Sequence, residues 1–546
     1  MPDKSKKRKH NSIDISTEEP RKTIKKTPTQ TPTTTTTTTT TSSGSTTETT
    51  IIQIITGSYD RVLHGITAII TPQSTSASSS TSSKDSEDSI VSFADTFLFT
   101  AHNASIRCLA LSPLTSDTQS PKITLASGSS DERINLYSIS ARPPPPYPSI
   151  PSLSSHAIQE NPKNRELGSL MHHASTVTAL YFPTRSKLIS AAEDNTITIT
   201  RTRDWTAVST IKAPIPKPKG RPSGDTLALG DAPAGVNDFA IHPSMKLMVS
   251  VGRAEKCMRL WNLVTGKKAG VLNFGKDILK DVGEGKWGSG EGRKIVWNEK
   301  GEEFAVAFER GVVVFGMDCQ PRGRIVPDRR TKVHWMEYLS LPTQGDEDMT
   351  NVLAISTEDG RIIFYDTNSL IPTTSTSSSN PDTATPSPIP ACKELCSLGG
   401  SESGTSTRVK TFKILSPPSS STKGPSLTFI IIAGHSDGAI RVWKLNPIPS
   451  SSPSNPTPIS SNPEMKPPAT KGKAKQKPNT KEKTTTPTTT SSPTLTGDLV
   501  GTYETSQRIT CLAAFVMVGT ASDLQNGDEE EFEEDISSED DSSDDE

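Results

Sequence analysis

This chain of 546 residues lacks long apolar runs and has only six cysteines. No run approaches the roughly 18 apolar residues that a membrane-spanning helix needs, and the N-terminus lacks the pattern of a signal peptide. The six cysteines are scattered, and the close pair Cys392 and Cys396 has no second Cys or His pair that would complete a zinc site. We therefore expect a soluble protein of a reducing compartment, without disulfides, metal or cofactor.

Apolar residues are also scarce, at 31% of the chain, whereas 43 residues are proline. Much of the chain therefore cannot bury a core. Composition predicts a disordered basic and Thr-rich arm, a disordered acidic tail, and a folded domain interrupted by disordered inserts. In order, these are the arm at 1–48, the domain at 49–520, the tail at 521–546, and the inserts at 73–92, 141–163, 214–232, 276–290, 371–390, 416–425 and 446–494.

Charge is distributed unevenly although the formal net charge is only −2. Lysines recur in the 446–494 insert, and the basic cluster of the arm consists of Lys4, Lys6, Lys7, Arg8 and Lys9. This cluster predicts a nuclear or nucleolar address or a contact with nucleic acid; a merely solvated arm is the alternative.

The tail from Asp528 onward carries thirteen acidic residues. A basic body with an acidic tail suits RNA-rich assemblies, although solubility alone would also explain it. Four serines precede acidic residues and are candidate sites for an acidophilic kinase: Ser537, Ser538, Ser542 and Ser543.

A β-hairpin pattern recurs along the chain. Residues 429–445 read FIIIAGHSDGAIRVWKL, an apolar strand, a tight turn and an alternating strand. Asp437 in the turn precedes Trp443 by six positions, and the same spacing relates Asp131 to Tyr137 and Asp359 to Tyr365. Weaker copies pair Asp60 with Ile66, Asp194 with Thr200, Glu255 with Trp261 and Glu309 with Phe315. The repeats predict seven hairpins in one repetitive all-β domain.

The two ends of this domain complement each other. The first hairpin, with a third strand near Ser92 to Phe99, lacks a fourth strand, whereas Ile509 to Met517 is a strand left over at the other end. We expect the leftover strand to complete the first sheet and close a ring, because closure removes exposed sheet edges.

An enzymatic reading is available at Gly434 to Gly438, which matches the G-x-S-x-G elbow of serine hydrolases through Ser436. The elbow requires a helix after the serine, but the following AIRVWKL alternates like a strand. We therefore predict a protein that is not an enzyme and has no small-molecule substrate.

The hairpins resemble the WD-repeat β-propeller family, in which a turn Asp, an upstream His, a strand Ser or Thr and a Trp form a hydrogen-bonded cluster. The resemblance implies a seven-bladed propeller and a set of structural cluster residues. These are His102, Ser127, Asp131, Tyr137, His173, Ser190, Asp194, Trp261, Asp359, Tyr365, Asp437 and Trp443. The blades of Glu255 and Glu309 lack a good Ser or His.

The order of segments such as IITGSYDRVLHGIT, FTAHNASIRCLALSP and CMRLWNLVTGKKAGVLNFGK is similar to one nucleolar WD-repeat family. That family is needed for large-subunit ribosome assembly in fungi, and its animal members are described as negative regulators of a small-GTPase-activated kinase. The resemblance implies a nucleolar scaffold for pre-60S proteins, assembly factors or pre-rRNA, without a membrane partner. The alternative is a cytoplasmic adaptor that binds and restrains the kinase.

Overall fold

The fold was analysed in a computed structural model. It describes residues 49–71, 91–115, 121–144, 158–215, 235–284, 288–342, 349–372, 389–401, 404–417, 428–448 and 494–519. The basic cluster of the arm, the four tail serines and most of the predicted inserts lie outside these ranges.

Twenty-eight strands within these ranges form seven four-stranded blades. Blade 1 contains β1 (Thr50–Ser58), β2 (Val62–Ile70), β3 (Val91–Thr100) and β28 (Ile509–Val516). Blade 2 contains β4 (Ile106–Leu111), β5 (Lys122–Ser129), β6 (Ile134–Ser140) and β7 (Arg165–Leu170). Blade 3 contains β8 (Val177–Thr184), β9 (Lys187–Ala192), β10 (Thr196–Arg201) and β11 (Ala207–Lys212). Blade 4 contains β12 (Val236–Ile241), β13 (Leu247–Gly252), β14 (Cys257–Asn262) and β15 (Lys267–Asn273).

The remaining blades continue in chain order. Blade 5 contains β16 (Lys294–Trp297), β17 (Glu303–Ala307), β18 (Val312–Gly316) and β19 (Pro321–Ile325). Blade 6 contains β20 (Val333–Pro342), β21 (Met349–Thr357), β22 (Arg361–Ile371) and β23 (Ala391–Gly399). Blade 7 contains β24 (Val409–Leu415), β25 (Phe429–His435), β26 (Ala439–Ile448) and β27 (Thr494–Glu504). Blades 5 and 6 also touch through a parallel bridge between Arg324 and Ala391. The predicted seven-bladed propeller is confirmed.

The hydrophobic core is divided among the spaces between blades. Seven clusters of buried side chains each join two neighbouring blades, so that every blade packs on both of its faces. The second strand of a blade is therefore apolar on both sides, as in β17 and β25, where every residue is buried. The outer strand β11 keeps four of its six residues exposed.

The ring closes through the C-terminal strand, as the sequence predicted. Strand β28 pairs antiparallel with β1, placing Ile52 opposite Val516 and Ile55 opposite Ala513. The innermost strands, β28, β4, β8, β12, β16, β20 and β24, each contact the next one around the ring. The pairing gives β1 a partner on its inner side, so that blade 1 has four strands like the other blades and β1 is not left as an exposed edge.

Six of the seven innermost strands carry a β-bulge near their start. Ile106 pairs with Ser129 and Cys108 with Gly128, so that Arg107 between them has no ladder partner. The same skip occurs in five other blades, at Thr510, Thr178, Asn237, His334 and Lys410. In blade 5, Arg293 donates its N–H to the carbonyl of Ala307, the residue that pairs with Lys294, and so takes the equivalent place.

Turn chemistry explains the regular hairpins. The residue after the turn acid has a left-handed backbone in five blades, with φ values between 60° and 96° at Arg61, Glu132, Asn195, Gly360 and Gly438. At Gly438 a Cβ atom would also lie 2.6 Å from the carbonyl oxygen of Gln507, so glycine is needed there for space as well.

The structure corrects several predicted inserts. Residues 276–284 of the predicted 276–290 insert are ordered around the helix α1 (Lys276–Asp281). Leu279 and Val282 are buried against Phe274 and Phe308, a spacing that the surrounding charged residues concealed in the sequence. The edges of three other predicted inserts belong to strands. Val91 and Ser92 are the first residues of β3, Ile371 is the last residue of β22, and 446–448 are the last residues of β26.

No helix in the described ranges has the length and apolar character required to cross a membrane.

Candidate functional site

A buried hydrogen-bonded cluster connects the turn of blade 2 to the loop before it. His102 lies between β3 and β4, Ser127 on β5, and Asp131 in the turn between β5 and β6. The Nδ1 atom of His102 is 3.1 Å from Asp131 Oδ2, and its Nε2 atom is 2.8 Å from Ser127 Oγ. Asp131 also accepts the backbone N–H groups of Asn103 and Arg133, at 2.9 and 3.1 Å.

The protonation of this cluster follows from its burial. Burial lowers the pKa of His102, although the Asp131 carboxylate opposes that shift. A neutral imidazole therefore donates from Nδ1 to Asp131 and accepts the hydroxyl hydrogen of Ser127 at Nε2. Burial by itself would raise the pKa of Asp131, but the hydrogen bonds and His102 hold it below its ordinary value.

The order Ser–His–Asp resembles a hydrolase relay, and the question is whether a substrate could reach it. Ser127 is 0% exposed, and it lies inside the sheet opposite Asn135. A nucleophile must reach its substrate within hydrogen-bonding distance, which this burial prevents. The cluster therefore stabilises the turn and the loop against the sheet.

Blade 3 repeats the arrangement with His173, Ser190 and Asp194. His173 Nε2 is 2.7 Å from Ser190 Oγ, and its Nδ1 is 3.3 Å from Asp194 Oδ2. Thr196 adds a hydroxyl that donates to Asp194 Oδ1 at 2.6 Å. Although burial opposes it, hydrogen bonds from His173 and Thr196 hold the pKa of Asp194 far below its ordinary range.

The aromatic position of the cluster varies among blades. Tyr137 is buried, and burial raises its pKa to about 12. Thr200 takes the equivalent place in blade 3, where its buried hydroxyl has no hydrogen-bond partner. In blade 4, Trp261 Nε1 donates to Ser250 Oγ at 2.8 Å.

Ser250 corrects the statement that the Glu255 blade lacks a good serine. Ser250 pairs with Arg259 in the sheet, just as Ser127 pairs with Asn135, and the aromatic residue follows two positions later in both blades. The turn of blade 4 is one residue longer, which shifts the serine to five positions before the acid. A search that allowed turns of variable length would have found it.

Comparison with known proteins agrees with this geometry. The family model "WD domain, G-beta repeat" matches residues 164–200, which cover strands β7 to β10 together with His173, Ser190 and Asp194. The chain therefore contains a WD repeat. The matched repeat begins on β7, the outer strand of blade 2, and ends on β10, the third strand of blade 3. The same offset between repeat and blade explains why blade 1 combines strands from both ends of the domain.

Several curated proteins are similar over the repeats. "Protein MAK11" of Saccharomyces cerevisiae is 27% identical over 372 residues, which cover 65% of this chain and 70% of that protein. "p21-activated protein kinase-interacting protein 1-like" of Xenopus laevis is 25% identical and covers 64% of this chain and 67% of that protein. The human "p21-activated protein kinase-interacting protein 1" is 26% identical over 38% of each chain.

The other WD-repeat blades hold their turn acids without histidine. Asp359 accepts the hydroxyl of Thr357 and the Nε–H of Arg361, the latter at 2.8 Å. In the same blade, the Tyr365 hydroxyl lies 3.4 Å from Glu394 Oε2. Short local partners thus replace the long-range histidine contact, and the turn acid keeps its structural role.

Blade 7 differs again. Asp437 accepts the N–H of Ala439 at 3.1 Å and lies 3.6 Å from Arg441 Nη2. Trp443 is buried beside His435, whose pKa is lowered to about 4 by burial and by Arg441. Ser436 is followed by strand β26 and not by a helix, so that the nucleophile-elbow geometry is absent at this turn.

A polar network at the seam between blades 7 and 1 was missed by sequence reasoning. Asp95 Oδ1 accepts from His64 Nε2 at 2.7 Å and from the Tyr503 hydroxyl at 2.6 Å. Within blade 1, a separate buried hydrogen bond runs from Gln53 Nε2 to Thr96 Oγ1 at 2.9 Å. Tyr503 and Asp95 are 408 positions apart, so no local pattern relates them.

No group of three or more His, Cys, Asp or Glu side chains in the described ranges is arranged to hold a metal ion.

Proposed function

We propose that the protein is a non-catalytic scaffold in large ribosomal subunit biogenesis, which binds pre-60S ribosomal proteins or assembly factors on its propeller. The observation that carries the proposal is a closed ring whose Ser–His–Asp clusters are buried structural supports. A rigid ring of this kind offers its faces for binding, and the fold alone does not specify the partner. Similarity to a nucleolar WD-repeat family across the repeats supplies the ribosomal setting.

The charged segments outside the described residues fit the same setting. We propose that the Lys4 to Lys9 cluster directs the protein to the nucleus and nucleolus, and that the lysine-rich 446–494 insert contacts pre-rRNA. Replacing Lys4, Lys6, Lys7, Arg8 and Lys9 by serine in a fluorescent fusion tests the first part. Nucleolar signal that persists unchanged would remove this cluster as the address.

A second candidate function is binding and restraint of a p21-activated kinase in the cytoplasm. It is favoured by the printed names of the Xenopus and human relatives, which describe kinase-interacting proteins. Kinase restraint would make no use of the basic arm and insert, and for that reason we favour the ribosomal function.

Affinity purification of the tagged full-length protein at moderate salt separates the two functions. We expect large-subunit precursor RNA and assembly factors to be enriched relative to an untagged control. Enrichment of a p21-activated kinase without precursor RNA would contradict the proposal and support the second candidate.

A further inference from the structure

Six bulge residues and Arg293, which takes the equivalent place in blade 5, form a set that we name the bulge crown: Thr510, Arg107, Thr178, Asn237, Arg293, His334 and Lys410. Each lies where its strand begins, next to the turn between the second and third strands of its own blade. Val333, for example, pairs with Thr357 directly before the turn of blade 6. Because the innermost strands follow one another around the ring, the crown encircles one mouth of its centre. A bulge redirects a side chain out of the ladder, which suits a recognition role.

Three crown members tie neighbouring blades together. Thr510 Oγ1 donates to the Ile106 carbonyl at 2.6 Å, and Thr178 Oγ1 donates to the Val236 carbonyl at 2.6 Å. Asn237 Nδ2 donates to the Gly292 carbonyl at 2.9 Å. These small polar side chains are already occupied by the scaffold.

The other four crown members are basic: Arg107, Arg293, His334 and Lys410. They come from blades 2, 5, 6 and 7, and no crown member is acidic. Neither Arg107 nor Lys410 forms an ion pair with any described residue. Arg293 Nε and His334 Nε2 are buried, and neither atom has a hydrogen-bond partner among the described residues.

Several positive charges lie close together around Lys410 at this mouth. Burial lowers the pKa of Lys410, and the positive charges of Arg408, Arg508 and Arg107 lower it further. Burial and Lys410 likewise lower the pKa of His334 to about 4, so that this imidazole is neutral at pH 7. Like charges that depress one another's pKa values are stabilised when an anion binds between them.

Neighbouring cations differ in how closely a carboxylate is paired with them. Lys294, the residue after Arg293, lies 3.5 Å from the Asp238 carboxylate. Arg293 itself is only partly compensated, because Glu309 lies 3.6 Å away and also contacts Lys332 at 3.0 Å. Arg107 and Lys410 therefore provide the uncompensated charge of the crown.

The surroundings restrict what can bind. Every turn around the mouth carries an acidic residue, namely Asp60, Asp131, Asp194, Glu255, Glu309, Asp359 and Asp437. Several basic side chains near these turns form ion pairs with them, as Arg361 does with Asp359 and Arg259 does with Glu255. A nucleic-acid backbone gains affinity from many spaced phosphate contacts, whereas a peptide can place one or two carboxylates at a single point.

We infer that the bulge crown binds an acidic segment of a partner polypeptide, with its carboxylates contacting Arg107 and Lys410. This inference rests on the proposed function only in treating the ring as a binding scaffold. It names the chemistry of the partner and the residues that recognise it.

The test measures binding of a fluorescently labelled oligoglutamate peptide to the full-length protein by anisotropy. Arg107→Gln combined with Lys410→Gln should weaken binding by about tenfold or more, because hydrogen bonds to charged groups are among the stronger ones. The matched control is Lys267→Gln with Lys268→Gln, which removes the same charge from exposed positions of the outer strand β15. The control should stay within about twofold of the unaltered protein, since distant surface charge is screened.

Two further variants guard against a folding defect. Arg107 is exposed, so Arg107→Glu should leave thermal unfolding unchanged and still weaken peptide binding. Arg107→Lys with Lys410→Arg preserves the charge and should retain binding. Equal losses in the crown and control variants would overturn the inference, as would stronger crown-dependent binding of an oligouridylate RNA than of the peptide. The assay uses purified protein, so its failure is distinguishable from a failure to recover ribosomal precursors.

Discussion

Replacing Asp131 by alanine removes a carboxylate that accepts three hydrogen bonds, from the His102 ring and from the backbone of Asn103 and Arg133. The two amides lie at an exposed turn, where water can replace the lost acceptor. His102 is 4% exposed, so its Nδ1–H would stay buried without a partner. A hydrogen bond to a charged group contributes about 1.5–3 kcal/mol, and adding a fraction for the amides gives an expected loss of about 2–4 kcal/mol.

The assay is urea unfolding followed by tryptophan fluorescence at neutral pH. Asp498→Ala, at an exposed position of β27, is the matched control and should change the free energy of unfolding by no more than about 0.5 kcal/mol. A double-mutant cycle with His102→Ala should show a coupling of about 1 kcal/mol or more, because the two side chains are in direct contact. If Asp131→Ala matches the control, or if the two mutations are additive, the cluster does not hold the turn.

Three further predictions concern the second cluster, the closing seam and the corrected insert. Because the pKa of Asp194 is depressed in the folded protein, the ionised carboxylate contributes its full stabilisation above the ordinary Asp pKa of about 3.9, and this contribution is lost as pH falls through the folded pKa. The difference in urea midpoint between the wild type and Asp194→Asn should therefore become smaller on acidification. A difference that does not change with pH would contradict this. At the seam between blades 7 and 1, Ile432→Ala should lower the free energy of unfolding by about 2–5 kcal/mol in the same assay. Tyr503→Phe loses only the hydrogen bond to Asp95 and should lower it by about 1 kcal/mol. Equal losses for the two variants would argue against the packing described there. Leu279→Ala should lower the free energy of unfolding by about 2 kcal/mol or more. If this substitution leaves the stability unchanged, residues 276–284 do not pack on the domain and the original prediction of an unstructured insert holds.

Local sequence patterns were sufficient for most of the strands. The predicted hairpin at 429–445 coincides with β25 and the start of β26, and the predicted strand Ile509 to Met517 coincides with β28. Each is bounded by turn residues and has the apolar spacing of a strand, both of which are properties of neighbouring residues. The cluster of His102, Ser127 and Asp131 was implied by the resemblance to WD repeats, which could be applied because all three residues belong to one repeat of regular length.

Features that depend on the ring were decided only by the tertiary structure. Ser250 became recognisable as the partner of Trp261 when the sheet register showed a longer turn. Asp95 meets Tyr503 because closure brings the first and last blades together across 408 positions. The bulge crown likewise arises from six equivalent register shifts and the matching position of Arg293, arranged around the ring. The sequence by itself determined the repeating strands and their turns, whereas the contacts between distant blades required closure, because they depend on which sheet packs beside which and not on local conformational preference.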